Sequence, residues 1–297
     1  MKNYLPNLII AGVGKAGTTS LFSYLSKHPD ICTSNIKETH YFSPLIDDKE
    51  LQPIDDYKKY FCHCDDHRYI LEATPRYFYG GVKVARAIYE RLGPIKIILV
   101  FRDPVNRLFS FYKHLKGTAW IPKSISFDEY VRLCNGLSKE KYYSFKAIQS
   151  GFYDDYLDDW YAIFNGSIKI VFFENMNANP YSFMSELCSW LDIDKEIYSY
   201  YKFSIENKST LYKNKLIHKL AININKRFEK FFRRYPDSKK IIRDMYYFVN
   251  HDSKDETISD YTRSYLDSLY EEHNNRLLNK LLLRGYSNFP SWLIKKT

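Results

Sequence analysis

A chain of 297 residues with 45% hydrophobic and 27% charged residues can bury a core without disulfides or metals, which excludes wholesale disorder, collagen and coiled coil. The formal net charge of +9 is local rather than diffuse: Lys208 to Arg243 holds twelve basic residues against Glu229 and Asp237, and the remainder is close to neutral. That asymmetry points to an anionic partner on one face.

No apolar run reaches the roughly eighteen residues that span a bilayer, and Met1 to Asn7 lacks the basic-then-apolar pattern of a secretory leader. The expectation is a cytoplasmic protein, in contact at most with the inner face of the membrane through 208–243. Cys32, Cys62, Cys64, Cys134 and Cys188 are odd in number and too sparse for a disulfide framework, so reduced thiols are expected.

In chain order, Leu8 to Ala11, Ile95 to Phe101 and Ile168 to Phe173 are short apolar runs rich in β-branched residues, which read as buried parallel strands. Each leads into a helical pattern. Leu21, Tyr24 and Leu25 follow the first. Asp103-Pro104 supplies a cap and a first-turn proline before Leu108, Phe111 and Tyr112, and Asn179-Pro180 does the same before Phe183 and Leu187. Strand, loop and helix in this order predict an α/β fold: a P-loop-like, doubly wound parallel sheet with flanking helices in a single domain, 1–297, with ligands at the carboxyl ends of the strands.

The first loop, Gly12-Val13-Gly14-Lys15-Ala16-Gly17-Thr18-Thr19-Ser20, places glycines, a cation and hydroxyls at a helix N-terminus, a combination suited to cradling phosphate. A nucleoside triphosphate loop needs Gly-Lys-Ser/Thr at its end. Here Thr18 takes the lysine position and the cation moves back to Lys15, which makes a kinase with a degenerate P-loop the second reading.

Lys15-Ala16-Gly17-Thr18-Thr19 matches the 5′-phosphosulfate loop of sulfotransferases that use 3′-phosphoadenosine 5′-phosphosulfate (PAPS), and Val100 to Tyr112 resembles their 3′-phosphate segment. The resemblance implies PAPS as co-substrate, adenosine 3′,5′-bisphosphate as product and no metal. It implies that Lys15, Ala16, Gly17, Thr18, Thr19 and Ser20 hold the 5′-phosphosulfate and that Arg102 and Ser110 hold the 3′-phosphate. Ser20 after the paired threonines, Lys37-Glu38-Thr39-His40-Tyr41-Phe42 and Leu71 to Phe78 look like the glycan-modifying, heparan sulfate branch. By that likeness Glu38 is the catalytic base, Lys15 neutralises the departing phosphate oxygen and His40 orients the base or the acceptor. Ala73 stands where those enzymes carry a lysine.

The implied acceptor is a carbohydrate or glycolipid hydroxyl, with an amine the alternative. The basic stretch 208–243 suits a polyanionic glycan or anionic lipid headgroups, and no nucleic-acid motif accompanies it. A non-catalytic basic module is the third reading. Cys62-His63-Cys64 with His67 lacks the second cluster that a metal site needs.

Overall fold

A computed structural model describes residues 5–136, 146–203 and 256–294, with scattered positions between 211 and 252. Most of the basic stretch, including Lys226 and Lys230, lies outside the described residues. No helix among the described residues is long and apolar enough to cross a membrane. The chain divides into two compact units, 1–108 with 148–207 and 265–297, and 109–147 with 208–264.

The first unit is built on a five-stranded sheet: β1 (Leu8–Gly12), β2 (Ile31–Thr33), β3 (Tyr69–Ala73), β4 (Lys96–Phe101) and β5 (Ile168–Phe172). Every pairing is parallel and the order is β2-β3-β1-β4-β5. The apolar runs read from sequence become β1, β4 and β5, buried along nearly their whole length. β2 and β3 were not anticipated. β1 lies between β3 and β4, so the chain leaves it toward one edge, returns, and crosses to the other. That reversal opens a crevice at the carboxyl ends of the central strands.

The expected caps are present. The Asp103 carboxylate accepts from the Val105 and Asn106 N–H groups at 2.8 and 3.2 Å, and Asn179 Oδ1 accepts from Ser182 N–H at 3.0 Å. Between β5 and the helix Pro180–Leu191, a further short helix, Phe173–Ala178, intervenes. Fully buried Trp160 donates from Nε1 to the Phe78 carbonyl at 3.0 Å, which ties the helix Asp154–Phe164 to the segment after β3.

The second unit has its own interior. Buried Lys116 donates to the Tyr112 hydroxyl at 2.9 Å and the Ile125 carbonyl at 3.0 Å, and pairs with Glu256. Phe127 and Tyr130 pack around Tyr112.

The thiols depart from expectation. Cys32 on β2 and Cys64 form a disulfide with a Cα separation of 5.7 Å, leaving Cys62, Cys134 and Cys188 free. The sequence hides the pair because 32 positions separate them and only the fold brings edge strand and loop together. A cross-link closing a loop of this size contributes about 2–4 kcal/mol. The double variant Cys32→Ser/Cys64→Ser is expected to lose that amount in urea unfolding. Unreduced, denatured protein should titrate as three thiols, rising to five after reduction; five without reductant would contradict the bond.

Candidate active site

β1 ends at Gly12, and the loop that follows delivers Gly17 as the N-cap of the helix Thr18–Leu25. Gly17 sits at φ 83°, and a Cβ there would come within 2.6 Å of the Phe173 ring and 2.7 Å of Met176 Cε. Only glycine fits that turn and that closeness. The glycine cap makes no side-chain hydrogen bond, so it takes up none of the first-turn N–H groups, the kind of donor that an anion at a helix start accepts from. Thr18 and Ser20 are buried and Ala16 fully so, whereas Thr19 is half-buried. Lys15 is held at φ 69°, a left-handed conformation that surrounding contacts must maintain.

Burial and then the neighbouring Arg102 guanidinium push the Lys15 ammonium down to about 8, against the opposing pull of Glu38. Lys37 adds a smaller repulsion. Arg102 leaves the end of β4, donates from Nη1 to the Lys15 carbonyl at 2.9 Å and lies 4.3 Å from the Phe173 ring centre. Its Nε is buried without a hydrogen-bond partner among the described residues. A guanidinium edge in that state is a donor that an anion would satisfy. Behind it, Glu174 accepts from the Asp103 N–H at 2.9 Å, and burial raises its carboxyl pKa. Ser110 is carried by the helix Pro104–Gly117 and falls in the second unit.

Glu38 and His40 reach the same region from the segment after β2. Lys37 Nζ lies 2.5 Å from Glu38 Oε1, and His40 Nε2 lies 3.6 Å from Glu38 Oε2. Alternation along an extended segment would put residues 38 and 40 on one side. Instead both are left-handed, Glu38 at φ 65° and His40 at φ 57°, and these turns bring the two side chains together. The Glu38 side chain is 41% exposed, open to a substrate hydroxyl. His40 Nδ1 lies 3.1 Å from Ser43 Oγ, and desolvation lowers its pKa in spite of Glu38, with Arg76 and Lys37 also lowering it. Its surroundings thus favour the neutral imidazole.

Lys37 was quoted from sequence only as part of a motif. Its partnership with Glu38 puts a cation on the segment facing Ala73, to whose carbonyl Glu38 donates its N–H at 3.0 Å. The adjacency of Lys37 to Glu38 was the available signal. The Cys-His-Cys stretch resolves differently: Cys64 is spent in the disulfide, Cys62 is exposed, and His63 Nε2 lies 3.0 Å from the Thr33 carbonyl. Asp154, Asp155 and His273 also cluster, but the Arg276 Nε lies 2.6 Å from Asp154 Oδ2 and already balances that carboxylate.

A family model described as a sulfotransferase domain matches residues 5–245. Among curated relatives, the membrane-associated sulfotransferase kil1 of Dictyostelium discoideum is 35% identical over 134 residues, covering 43% of this chain and 27% of the relative. The heparan sulfate glucosamine 3-O-sulfotransferase 5 of Mus musculus is 28% identical over 162 residues, covering 54% and 45%. The chain thus spans less than half the length of either. The crystal structure of a sulfotransferase from Alicyclobacillus acidocaldarius aligns with a TM-score of 0.57 and 23% identity, covering 77% of this chain and 95% of that one, and shares the expected α/β fold.

The cytoplasmic placement does not stand against these likenesses. The Dictyostelium relative is membrane-associated, and the Cys32–Cys64 bond is of a kind that a reducing cytosol rarely keeps.

The depressed ammonium gives a direct test of the phosphate loop. Unliganded Lys15 is partly neutral above about 8, and an anion placed on it restores the charge. Binding of adenosine 3′,5′-bisphosphate should therefore take up protons between pH 8 and 10, and affinity should fall as pH rises through that window. Calorimetry in buffers of different ionisation enthalpy measures the uptake. Lys15→Met should abolish it; uptake that survives the substitution would remove Lys15 from the phosphate site.

Proposed function

Because this chain belongs to the sulfotransferase domain family, we propose that it transfers the sulfuryl group of PAPS to a hydroxyl of a carbohydrate or glycolipid acceptor. What supports the reading above all is the convergence of Lys15, Arg102, Lys37 and Glu38 on the carboxyl ends of β1, β3 and β4. The uncapped helix start and the orphaned Arg102 Nε suit two separate anionic groups, as a nucleotide with 5′- and 3′-phosphates presents. The matched span runs through both units, which supports reading them as one sulfotransferase domain.

In this mechanism the acceptor oxygen attacks sulfur in line with the bond to the 5′-phosphate. The new O–S bond forms as the old one breaks, and the acceptor proton passes to Glu38. Charge gathers on the 5′-phosphate oxygen of the departing adenosine 3′,5′-bisphosphate, where Lys15 and the first-turn N–H groups neutralise it. Lys37 takes the part of the lysine absent at Ala73, releasing Glu38 as the acceptor arrives and meeting the sulfuryl oxygens. His40, beside Glu38, aligns the acceptor hydroxyl. Ser110 is assigned to the 3′-phosphate by resemblance. The cations of the protein supply the neutralisation that magnesium supplies in phosphoryl transfer, so a chelator should leave the rate unchanged. The relatives that act on heparan sulfate favour a polyanionic glycan, and the basic stretch 208–243 suits such an acceptor or the membrane that carries it.

Incubation with radiolabelled PAPS and a panel of desulfated heparin, chondroitin and glycolipids tests the activity; label in none of them, with PAPS bound, contradicts it. Glu38→Gln should lower kcat by about 10²- to 10⁴-fold while bisphosphate affinity holds. Near-normal turnover would move the base elsewhere. Adenosine 3′,5′-bisphosphate should raise the Tm far more than AMP does, and Arg102→Ala should erase the difference. Equal stabilisation of the unaltered protein by both nucleotides would dismiss Arg102 from the 3′-phosphate.

A further inference from the structure

Glu72 lies on β3 with no exposed surface and, among the described residues, no cationic partner. A carboxylate buried in that way persists only if hydrogen bonds compensate it. Three hydroxyls approach it. Thr74 Oγ1 donates to Oε1 at 2.5 Å, Thr39 Oγ1 to Oε1 at 3.1 Å and the Tyr57 hydroxyl to Oε2 at 3.1 Å. Burial pushes its carboxyl up to about 7, and these hydroxyls, with that of Tyr77, pull the other way.

Two of these hydroxyls, of Thr39 and Thr74, together with that of Tyr77, face the segment that carries the proposed base. The Thr74 oxygen accepts from the His40 N–H at 3.4 Å, the Thr39 oxygen from the Tyr41 N–H at 3.4 Å and the Tyr77 oxygen from the Phe42 N–H at 3.2 Å. Tyr77 lies 3.3 Å from Thr39 Oγ1. Each hydroxyl has one proton to give. With Thr39 and Thr74 donating to the carboxylate and Tyr77 donating to Thr39, each of the three oxygens keeps a lone pair for one backbone N–H, those of residues 40, 41 and 42. One buried acceptor thereby polarises a relay of donors, all running in one direction. The segment it holds contains the left-handed Glu38 and His40, a conformation that persists for such residues only where contacts over-determine it.

From this geometry we infer that Glu72 is a positioning residue: its carboxylate orders the hydroxyls of Thr39, Thr74 and Tyr77, which fix the backbone from Glu38 to Phe42 and so aim the Glu38 carboxylate and the His40 imidazole at each other. The inference rests on the reading of Glu38 as the base, but its test needs no turnover.

The full-length protein, labelled for NMR, reports His40 through its imidazole titration. Glu38→Gln removes an anion 3.6 Å from Nε2 and should lower the His40 pKa. In a Glu72→Gln background the same replacement should leave His40 unmoved, because the two side chains no longer face each other. Amide exchange at Glu38, His40 and Phe42 should be at least about 10-fold faster in Glu72→Gln, with β1 and β4 amides and bisphosphate affinity held within about twofold. Should Glu72→Gln not fold, Thr39→Val keeps the shape, removes one hydroxyl of the relay and should give the same pattern at smaller amplitude. A His40 that responds equally to Glu38→Gln in both backgrounds overturns the inference. Loss of protection across the whole sheet overturns it too, since Glu72 would then serve the core rather than the segment. Failure of PAPS turnover, by contrast, would strike the proposed activity and leave these readouts standing.

Discussion

Positive charge gathered where water is scarce governs this structure. Lys15 and Arg102 sit side by side at the ends of the central strands, and burial together with their mutual repulsion depresses the lysine. The carboxylates nearby are engaged elsewhere: Glu174 caps the turn at Asp103 and Glu38 pairs with Lys37. A site whose buried cations are only partly offset by carboxylates is strained by itself and is relieved when an anion enters. The parallel sheet makes this arrangement possible, because all five strands point their carboxyl ends the same way and β1 delivers a helix start that no side chain caps.

Opposite this anion cradle stands a segment shaped by a different rule. The stretch from Lys37 to Phe42 belongs to neither strand nor helix, yet its N–H groups at 38, 40, 41 and 42 all find acceptors. Two left-handed residues and a buried carboxylate give it a rigidity that loops usually lack. The disulfide fastens the strand that feeds it, since Cys32 lies on β2 just ahead of the segment. Chemistry that moves a sulfuryl group with little covalent assistance depends on placement, and this placement is made of backbone geometry as much as of side chains.

The sheet was legible in part. β1, β4 and β5 announce themselves as continuous apolar runs, and Asp103 and Asn179 mark the helices after two of them. β2 is only three residues long, too short for a pattern, and β3 carries Glu72 as its fourth residue, a charge that breaks the apolar run and whose compensation includes the Tyr57 and Thr39 hydroxyls, distant in sequence. For the same reason Glu72 itself could be quoted from sequence but not understood. Lys15 and Arg102 were visible through their loops and the motifs around them. The pairing of Glu38 with Lys37 and His40 depends on two positive φ angles that no residue type there demands, and the Cys32–Cys64 bond depends on the fold.

On the proposed function, one nucleotide with two phosphates satisfies both halves of the cation cluster, with its sulfuryl-bearing end toward Glu38. A crystal structure of the complex with adenosine 3′,5′-bisphosphate tests it most directly. The expected result is the 5′-phosphate within hydrogen-bond distance of Lys15 Nζ and the N–H groups at the start of the helix Thr18–Leu25, and the 3′-phosphate on the Arg102 guanidinium. A nucleotide bound with its two phosphates exchanged, or bound away from Lys15 altogether, would contradict it.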